Sequence, residues 1–346
     1  MGKHGLVILV RNMELKRCSR CVMDGSDPDI VFEDGVCNHC HQAQKSLEDI
    51  DKEKHNLNKW LKKIKEEGCI IGLSGGVDSS ATLHHLVKFG IKPICFSMDN
   101  AYNEEKADKN VEKMVKKLGL KHETVLIDMG KYRDLQSAFI RAGVSNIEIP
   151  TDHILMALTY KIAAEKGVKW VISGGNVATE SIMPVSWSYS ARDLTHIKDI
   201  FNDDLGSLPH CGLLKWNYYK WIKGIKIFYL LDYLGYNRIE SEKMLEKEYG
   251  FQSTGEKHEE NVFTKWFQNF YLFEKFGIDK RKAHYSSLIN AGQMTRKEAI
   301  ARLAERPVYP ELGIEAKVMK YPRRSHSAFK QDKWFDRISK VIKYAR

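Results

Sequence analysis

The sequence predicts an α/β protein built on a doubly wound parallel sheet, with an N-terminal zinc ribbon and a helical C-terminal region. Three observations predict this fold. Buried strands alternate with helices across residues 70–173, a glycine- and serine-rich loop follows the first of these strands, and two Cys-x-x-Cys pairs precede it. Because parallel strands need crossover connections, this alternation favours a parallel sheet. We expect three parts, at residues 1–45, 46–206 and 207–346.

The composition is that of an ordinary globular protein, with 43% hydrophobic and 29% charged residues among 346. No apolar run approaches the ~20 residues that span a bilayer. The apolar stretch at residues 5–10 is too short for a secretory signal. We therefore expect a cytoplasmic protein with no membrane span. The net charge of +10 can attract RNA or membranes, but it also suits polyanionic small molecules such as ATP and nucleotide sugars, so charge alone does not decide the partner. Because the lysines are spread along helices, no nucleic-acid partner is expected.

The N-terminal cysteines have the spacing of a metal site. Two Cys-x-x-Cys pairs are separated by fifteen residues, and their four thiols are those of Cys18, Cys21, Cys37 and Cys40. Each pair aims two thiolates at one point, and two pairs complete a tetrahedral site with no open position. The sequence therefore predicts a structural zinc ion, with an iron–sulfur cluster or a redox site as alternatives. A connector helix is expected over residues 42–66.

A phosphate-binding loop is predicted where the strand at residues 70–73 gives way to a helix from Asp78 onward. Adjacent glycines let the backbone approach an anion, and the helix N-terminus adds free N–H groups and a positive dipole. Asp78 could hold a divalent metal or cap the helix. The predicted nucleotide-binding residues in this loop are Ser74, Gly75, Gly76, Asp78, Ser79 and Ser80.

Two further strands end in polar residues that should lie beside this loop. In a parallel sheet, ligands bind beyond the carboxyl ends of the strands. Asp99 and Gly174 follow two such strands, and we expect both near the nucleotide. The strands are predicted at residues 92–98, 122–127 and 170–173, and the intervening helices near 103–118, 132–142 and 154–166.

Beyond residue 206 the sequence becomes aromatic and helical. A loop is expected at residues 208–212, and dense apolar faces predict helices over residues 225–234 and 261–276. Thr295 and Glu298 have the spacing of a capping box that opens another helix.

The segment Ser-Gly-Gly-Val-Asp-Ser resembles the pyrophosphate loop of the PP-loop ATP pyrophosphatases, whose fold is adenine nucleotide α-hydrolase-like. No lysine lies between residues 68 and 87, so the loop is not a Walker A motif. The resemblance implies that ATP is cut between its α and β phosphates and that, in many members, a carbonyl oxygen is adenylylated.

Additional segments resemble the N-acetyl sugar amidotransferases of lipopolysaccharide and O-antigen biosynthesis. The segments that resemble this family are Gly35-Val-Cys-Asn-His-Cys40, Ser173-Gly-Gly-Asn-Val-Ala-Thr-Glu180, Met183-Pro184 and His284-x-Ser-Ser-Leu-Ile-x-x-Gly-Gln-Met294. Asp24 departs from the proline expected after Cys-Val-Met. The resemblance implies that ATP and Mg²⁺ activate the acetamido group of a nucleotide-linked sugar and that ammonia then replaces AMP to give an acetamidino sugar.

This chemistry needs a group that accepts a proton from the attacking ammonia, and the sequence offers Asp152, His153 and Glu180 as catalytic candidates. The resemblance also implies that a separate glutaminase, paired with a cyclase-like protein, supplies the ammonia. The alternative is a tRNA-modifying thiolation enzyme. For that reaction Cys211, in a predicted loop, is the one plausible reactive thiol.

Overall fold

The computed structural model describes residues 16–332, so the apolar stretch at residues 5–10 lies outside the described residues. The strands of the described part are β1 Phe32–Glu33, β2 Val36–Cys37, β3 Cys69–Gly72, β4 Ile94–Asp99, β5 His122–Leu126, β6 Trp170–Ser173 and β7 Lys226–Tyr229. The α-helices are α1 Asn38–Glu53, α2 Leu57–Glu67, α3 Val77–Lys88, α4 Glu105–Leu118, α5 Met129–Ala142, α6 Ile149–Glu165, α7 Val177–Glu180, α8 Leu194–Phe201, α9 Leu213–Asn217, α10 Arg238–Tyr249, α11 Val262–Trp266, α12 Arg281–Asn290, α13 Arg296–Ala304 and α14 Glu315–Lys320. Two π-helical segments, Tyr218–Ile222 and Phe267–Phe276, continue α9 and α11.

Five strands form one parallel sheet in the order β5-β4-β3-β6-β7. The central strand β3 is apolar on both faces because helices cover both sides of the sheet. Ile71 packs into a core with helices α2 and α3, whereas Ile70 packs into a second core with α6. The doubly wound parallel sheet predicted from the sequence is confirmed.

The direction of strand addition reverses at β3. From β3 the chain adds β4 and β5 on one side and then returns to add β6 and β7 on the other. The loops that leave β3 and β6 adjoin this point of reversal, and such a switch point is where open α/β sheets bind ligands. The topology therefore places the loop after β3 and the loop after β6 at one crevice.

The fifth strand corrects the expectation of a helix over residues 225–234. Residues Lys226–Tyr229 form β7, which pairs with β6, and a 3₁₀ segment Leu230–Leu234 follows. A short apolar run cannot be assigned to helix or strand from periodicity alone. Here the run pairs with the edge of β6 and is therefore a strand. The sheet therefore extends beyond residue 206.

The N-terminal segment and the C-terminal helices pack on each other. Cys18, Cys40, Trp266 and Tyr271 belong to one buried apolar cluster. At the surface of that cluster, Asp24 forms an ion pair with Lys282 at 2.7 Å. The capping box is confirmed, because the Thr295 hydroxyl and the Glu298 carboxylate each accept the other residue's backbone N–H.

Candidate active site

The phosphate loop lies between β3 and α3 and presents an uncapped helix N-terminus. Gly75 has φ +76°, a conformation that glycine adopts without strain. The Ser79 hydroxyl braces the loop, accepting the Ser74 N–H at 3.3 Å and donating to the Gly76 carbonyl at 3.3 Å. Ser80 is buried in the first turn of α3. No side chain caps the N-terminus of α3, so its backbone N–H groups remain available for an anion.

The loop after β6 approaches the phosphate loop closely at Gly174. A Cβ atom at this position would lie 2.9 Å from the Ser79 nitrogen and 3.1 Å from the Asp78 carbonyl carbon. Such a distance is shorter than a nonbonded carbon contact allows, so only glycine fits without displacement. The geometry places Gly174 against the phosphate loop, where we expected it from the sequence.

Asp78 pairs with Lys257 and does not cap α3. One Asp78 oxygen accepts the Tyr236 hydroxyl and the other accepts the Lys257 ammonium group. Lys257 Nζ also contacts Glu180 Oε1 at 2.9 Å and Thr179 Oγ1 at 2.7 Å. Burial opposes the charged lysine, but the two carboxylates raise its pKa above the ordinary value. A cation therefore lies beside a phosphate loop that contains no lysine of its own.

The segment that carries Lys257 is held over the sheet by backbone pairing. The Glu104 N–H donates to the Glu260 carbonyl at 2.9 Å, and the Val262 N–H donates to the Tyr102 carbonyl at 2.7 Å. The Ser74 hydroxyl in turn donates to the Glu260 carboxylate at 3.0 Å. Burial raises the pKa of Glu260. Residues 254–261 thus cover the phosphate loop.

Asp99 lies in the turn after β4, where Asp99 Oδ1 accepts the Ala101 N–H at 2.7 Å. The next residue, Asn100, accepts from Asn261 Nδ2 at 3.2 Å. This turn is therefore bound to the covering segment. The contacts of Asp99 itself stabilise the turn.

Two imidazoles lie next to Lys257. The rings of His258 and His284 are 5.7 Å apart, and His258 Nε2 is 3.6 Å from Glu180 Oε1. Within the described residues, His284 Nε2 is buried without a hydrogen-bond partner. Burial and the neighbouring cations Lys257, Lys280 and Arg238 hold the pKa of both histidines well below the ordinary value. Both rings are therefore neutral near pH 7, and a ring nitrogen without a proton can accept a hydrogen bond.

Glu148 and Asp152 form a carboxylate pair at the start of α6. The helix begins five residues earlier than the sequence predicts, at Ile149, so Asp152 lies in its first turn. Burial and repulsion from Asp152 raise the pKa of Glu148 to about 7, and burial raises the pKa of Asp152 to about 6, although Lys280 opposes both shifts. Asp152 is exposed to solvent. Lys280 lies near enough to act on Glu148, Asp152, His258 and His284, and we call the region that these five residues surround the recess.

His153 faces the other way, into the core. Its Nδ1 is 2.6 Å from the Ala191 carbonyl, and its Nε2 accepts the Cys211 N–H at 3.2 Å. Burial lowers the pKa of His153 to about 4. With both ring nitrogens bonded to backbone groups, His153 cannot reach a substrate, and we assign it a structural role. Asp152 and Glu180, in contrast, both lie near the cations that surround His258 and His284.

Sequence reasoning missed several residues of this site, namely Glu148, Tyr236, Lys257, His258, Glu260 and Lys280. One signal was available. Residues 256–260 place five ionisable side chains in a short stretch between two helices, and charged loops on a rigid scaffold often carry function.

The four N-terminal cysteines form a closed, buried cluster. Their Sγ atoms all lie within 4.8 Å of one another, with Cys18–Cys40 at 3.9 Å and Cys21–Cys37 at 3.7 Å. Zinc–sulfur bonds of about 2.3 Å in a tetrahedron place the sulfurs about 3.8 Å apart. The cluster therefore fits a single structural zinc ion. His39 is not part of it, because its Nε2 bonds Asp27 at 2.6 Å.

Helix α12 connects this cluster to the recess. Asn290 Nδ2 donates to Cys40 Sγ at 3.3 Å, and the Val22 N–H donates to Ser286 Oγ at 3.2 Å. His284 lies on the same helix. The cysteine cluster therefore helps to fix the helix that places His284 in the site.

Comparisons with protein families identify two parts of the chain. Residues 49–205 match the family described as NAD synthase, and residues 260–332 match the family described as LPS biosynthesis protein WbpG-like, C-terminal domain. The second match begins at Glu260 and includes Lys280 and His284.

Two curated relatives each match just under half of the chain. An uncharacterized protein of Methanocaldococcus jannaschii is 27% identical over 165 residues, which is 46% of this chain and 58% of the relative. The NH3-dependent NAD⁺ synthetase of Thermoplasma acidophilum is 33% identical over 172 residues, which is 47% of this chain and 68% of the relative. The chain thus spans little more than half of the first relative's length.

Similar solved structures include NMN synthetase from Francisella tularensis, with a TM-score of 0.32, 16% identity, and coverage of 57% of this chain and 93% of that chain. NH3-dependent NAD synthetase from Campylobacter jejuni has a TM-score of 0.33 and 18% identity, and covers 76% of this chain and 98% of that chain.

Proposed function

The chain belongs to the NAD synthase family of PP-loop, ATP-utilising proteins, and from this premise we propose that it is an ATP-dependent amidating ligase that converts an acetamido sugar into an acetamidino sugar. The WbpG-like C-terminal domain supports a role in lipopolysaccharide biosynthesis. One relative is named as an NH3-dependent synthetase, and this supports ammonia as the nucleophile.

One observation carries the proposal: Lys257 joins the phosphate loop to the recess. Its ammonium group contacts Asp78 at the start of α3 and Glu180 at the end of α7. Because His258 and His284 adjoin Glu180 and Lys257, the recess opens beside the place where the phosphates of ATP would lie. A group bound in this recess would be close to the α-phosphate.

The proposed reaction has two steps. The acetamido oxygen attacks the α-phosphorus of ATP, the bond to the β-phosphate oxygen breaks, and pyrophosphate leaves. Ammonia then adds to the activated carbon, the carbon–oxygen bond breaks, and AMP departs with the former acetamido oxygen. The N–H groups of α3 and the Lys257 cation stabilise the charge that develops on the phosphates.

A proton must leave the attacking ammonia, and the recess holds groups that can accept it. Burial raises the pKa values of Glu148 and Asp152 toward the neutral range that suits a general base. His284 Nε2 is unpartnered among the described residues and can accept a hydrogen bond from the ammonia or the sugar. We assign proton transfer to the carboxylate pair, and the charge of Lys280 and Arg238 to binding the anionic part of the nucleotide sugar.

The carboxylates present fit a magnesium ion bound mainly through ATP. Among the described residues, the cysteine cluster is the one set of three or more ligand side chains that could hold a metal. Mg²⁺ commonly takes one or two carboxylates together with substrate phosphates. Glu260 would hold it and the ion would offset phosphate charge, whereas both oxygens of Asp78 already accept hydrogen bonds from Tyr236 and Lys257.

The environment of Cys211 argues against thiolation, the second function considered from the sequence. This thiol is buried, and burial raises its pKa to about 11. Burial likewise raises the pKa values of Cys69 and Cys95 to about 12. None of the three forms a thiolate near neutral pH.

The source of ammonia is part of the proposal. We propose that a separate glutaminase, acting with a cyclase-like partner, supplies it, and that ammonium salts replace that partner in vitro. Formation of the amidine from glutamine by the purified chain alone would contradict this arrangement.

The experiment that tests the function is incubation of the purified protein with ATP, magnesium, ammonium and candidate nucleotide diacetamido sugars. We expect AMP, pyrophosphate and a slightly lighter sugar product in the mass spectrum, because NH has replaced oxygen. Release of pyrophosphate without any change in sugar mass would contradict the proposal.

A further inference from the structure

A short surface helix exposes four large apolar side chains in a single stripe. Leu214 is 86% exposed, Trp221 70% and Ile222 75%, and Tyr218 is 43% exposed. Their spacing of i, i+4, i+7 and i+8 places them on one side of the helix formed by α9 and its π-helical continuation. Exposed apolar residues are ordinary when scattered, but a contiguous stripe marks an interaction surface.

The opposite side of this helix fixes it to the protein. Trp216 and Tyr219 are buried, and their rings pack against Tyr160 of α6 with centroids 5.3 and 5.8 Å apart. The exposed stripe is therefore held outward by a rigid support.

Lysines flank the stripe, and no acidic residue occurs in this stretch of the sequence. Lys215, Lys220 and Lys223 are all exposed, and residues 205–231 contain neither Asp, Glu nor Arg. Lys220 lies 5.0 Å from the Trp221 ring centroid, and Lys223 lies 5.7 Å from that of Tyr218. We call these three lysines and the four apolar residues the lysine–aromatic face.

We propose that the lysine–aromatic face binds the surface of an anionic phospholipid bilayer. A helix with Trp, Tyr and aliphatic residues on its outer side and lysines around them has the composition of an interfacial membrane helix. Tryptophan and tyrosine favour the headgroup region, and lysines attract acidic lipids while their aliphatic stems lie along apolar surface. No helix of the described residues is long and apolar enough to cross a membrane, so this contact is peripheral.

The type of cation on this face favours a bilayer over a protein partner. Protein interfaces are enriched in arginine and depleted in lysine, whereas every cation of this face is a lysine. A second copy of the chain is also disfavoured, because a two-fold contact through this face would bring the same lysines together. Charge complementarity therefore favours acidic headgroups. The proposal does not depend on the reaction proposed above.

Cosedimentation with lipid vesicles tests the proposal. The full chain should bind vesicles of phosphatidylethanolamine and phosphatidylglycerol, bind pure phosphatidylcholine at least about tenfold more weakly, and dissociate as salt increases. The triple variant Leu214→Ser, Trp221→Ser, Ile222→Ser should lose about tenfold or more in vesicle affinity. Because these side chains are exposed, thermal unfolding should be unchanged, and this measurement shows that the variant is folded.

A matched control uses apolar residues that are equally exposed elsewhere. Leu126 is 75% exposed and Val308 is 77% exposed. The double variant Leu126→Ser, Val308→Ser should bind vesicles as the unchanged protein does. The proposal is overturned if the unchanged protein does not bind acidic vesicles or if the triple variant binds equally well. It is also overturned if the unchanged protein forms dimers and does not bind vesicles, while the triple variant is monomeric in sedimentation. That result would show that the face joins two copies of the chain.

Discussion

The ammonium group of Lys257 contacts the carboxylate of Asp78, although 179 positions separate the two residues in the chain. Asp78 belongs to the phosphate loop, and Lys257 belongs to the segment that covers it. A Walker A loop contains its own lysine. Here a distant segment places a lysine beside the phosphate loop instead.

Replacing Lys257 should abolish most nucleotide chemistry. Lys257→Met removes the cation beside the phosphate loop and leaves Asp78 and Glu180 without their ammonium partner. We expect pyrophosphate release to fall by about a hundredfold or more. Lys297→Met, at an exposed position, is the control. An unchanged rate in a folded Lys257→Met protein would mean that this lysine does not act on the phosphates.

A single methyl group at Gly174 should push the loop after β6 away from the phosphate loop. Because the new Cβ would lie 2.9 Å from the Ser79 nitrogen, Gly174→Ala must displace the loop or the start of α3. We expect the Kd for ATP to rise by about tenfold or more in calorimetry. At Gly212 the nearest atom to an added Cβ is 3.5 Å away, so Gly212→Ala should bind ATP normally. Equal affinities in the two variants would show that the loops do not act together.

The Glu148–Asp152 pair should make stability depend on pH. Folding raises the pKa of Glu148 from 4.5 to about 7 and that of Asp152 from 3.8 to about 6. The folded protein holds these protons more tightly, so the pair's contribution to stability is complete below the unfolded values and is lost as pH rises to about 7.

Glu148→Gln should therefore reduce the fall in Tm between about pH 5 and pH 7.5. Glu246→Gln, at an exposed position on α10, should leave the fall unchanged. If Tm falls equally in the Glu148→Gln protein and the unchanged protein over this range, the raised pKa of Glu148 does not contribute to the pH dependence of stability.

The cysteine cluster should hold zinc and support α12. Cys37→Ser should eliminate zinc from the purified protein and lower Tm by about 10 °C or more, since a structural ion contributes folding free energy. Metal content by mass spectrometry and thermal unfolding measure both effects. Cys211→Ser should keep both the zinc and the amidating activity, because Cys211 lies outside the cluster. Loss of activity with zinc retained would restore thiolation as an explanation.

The parallel sheet and the phosphate loop could be predicted from sequence because their signals are local. β6 occupies residues Trp170–Ser173, as the apolar run before Gly174 indicates. In contrast, β7 was mistaken for a helix because its four residues carry no periodicity that distinguishes the two states. Its pairing with β6 decides the matter.

The composition of the site was harder to predict because it depends on contacts between distant segments. Asp152 and His153 are adjacent in sequence, but the helix turns Asp152 toward Lys280 and His153 into the core. Lys257 gave no local sign of its partners, since Asp78 and Glu180 lie in other loops.

The most direct test of the central claim follows one oxygen atom. A nucleotide-linked acetamido sugar that carries a heavy oxygen isotope in its acetamido carbonyl should transfer this atom to AMP as ammonia enters the sugar. Mass spectrometry of the AMP would show the label in stoichiometric amount. Unlabelled AMP, with the heavy oxygen retained in the sugar or found in pyrophosphate, would contradict activation of the acetamido group by adenylylation.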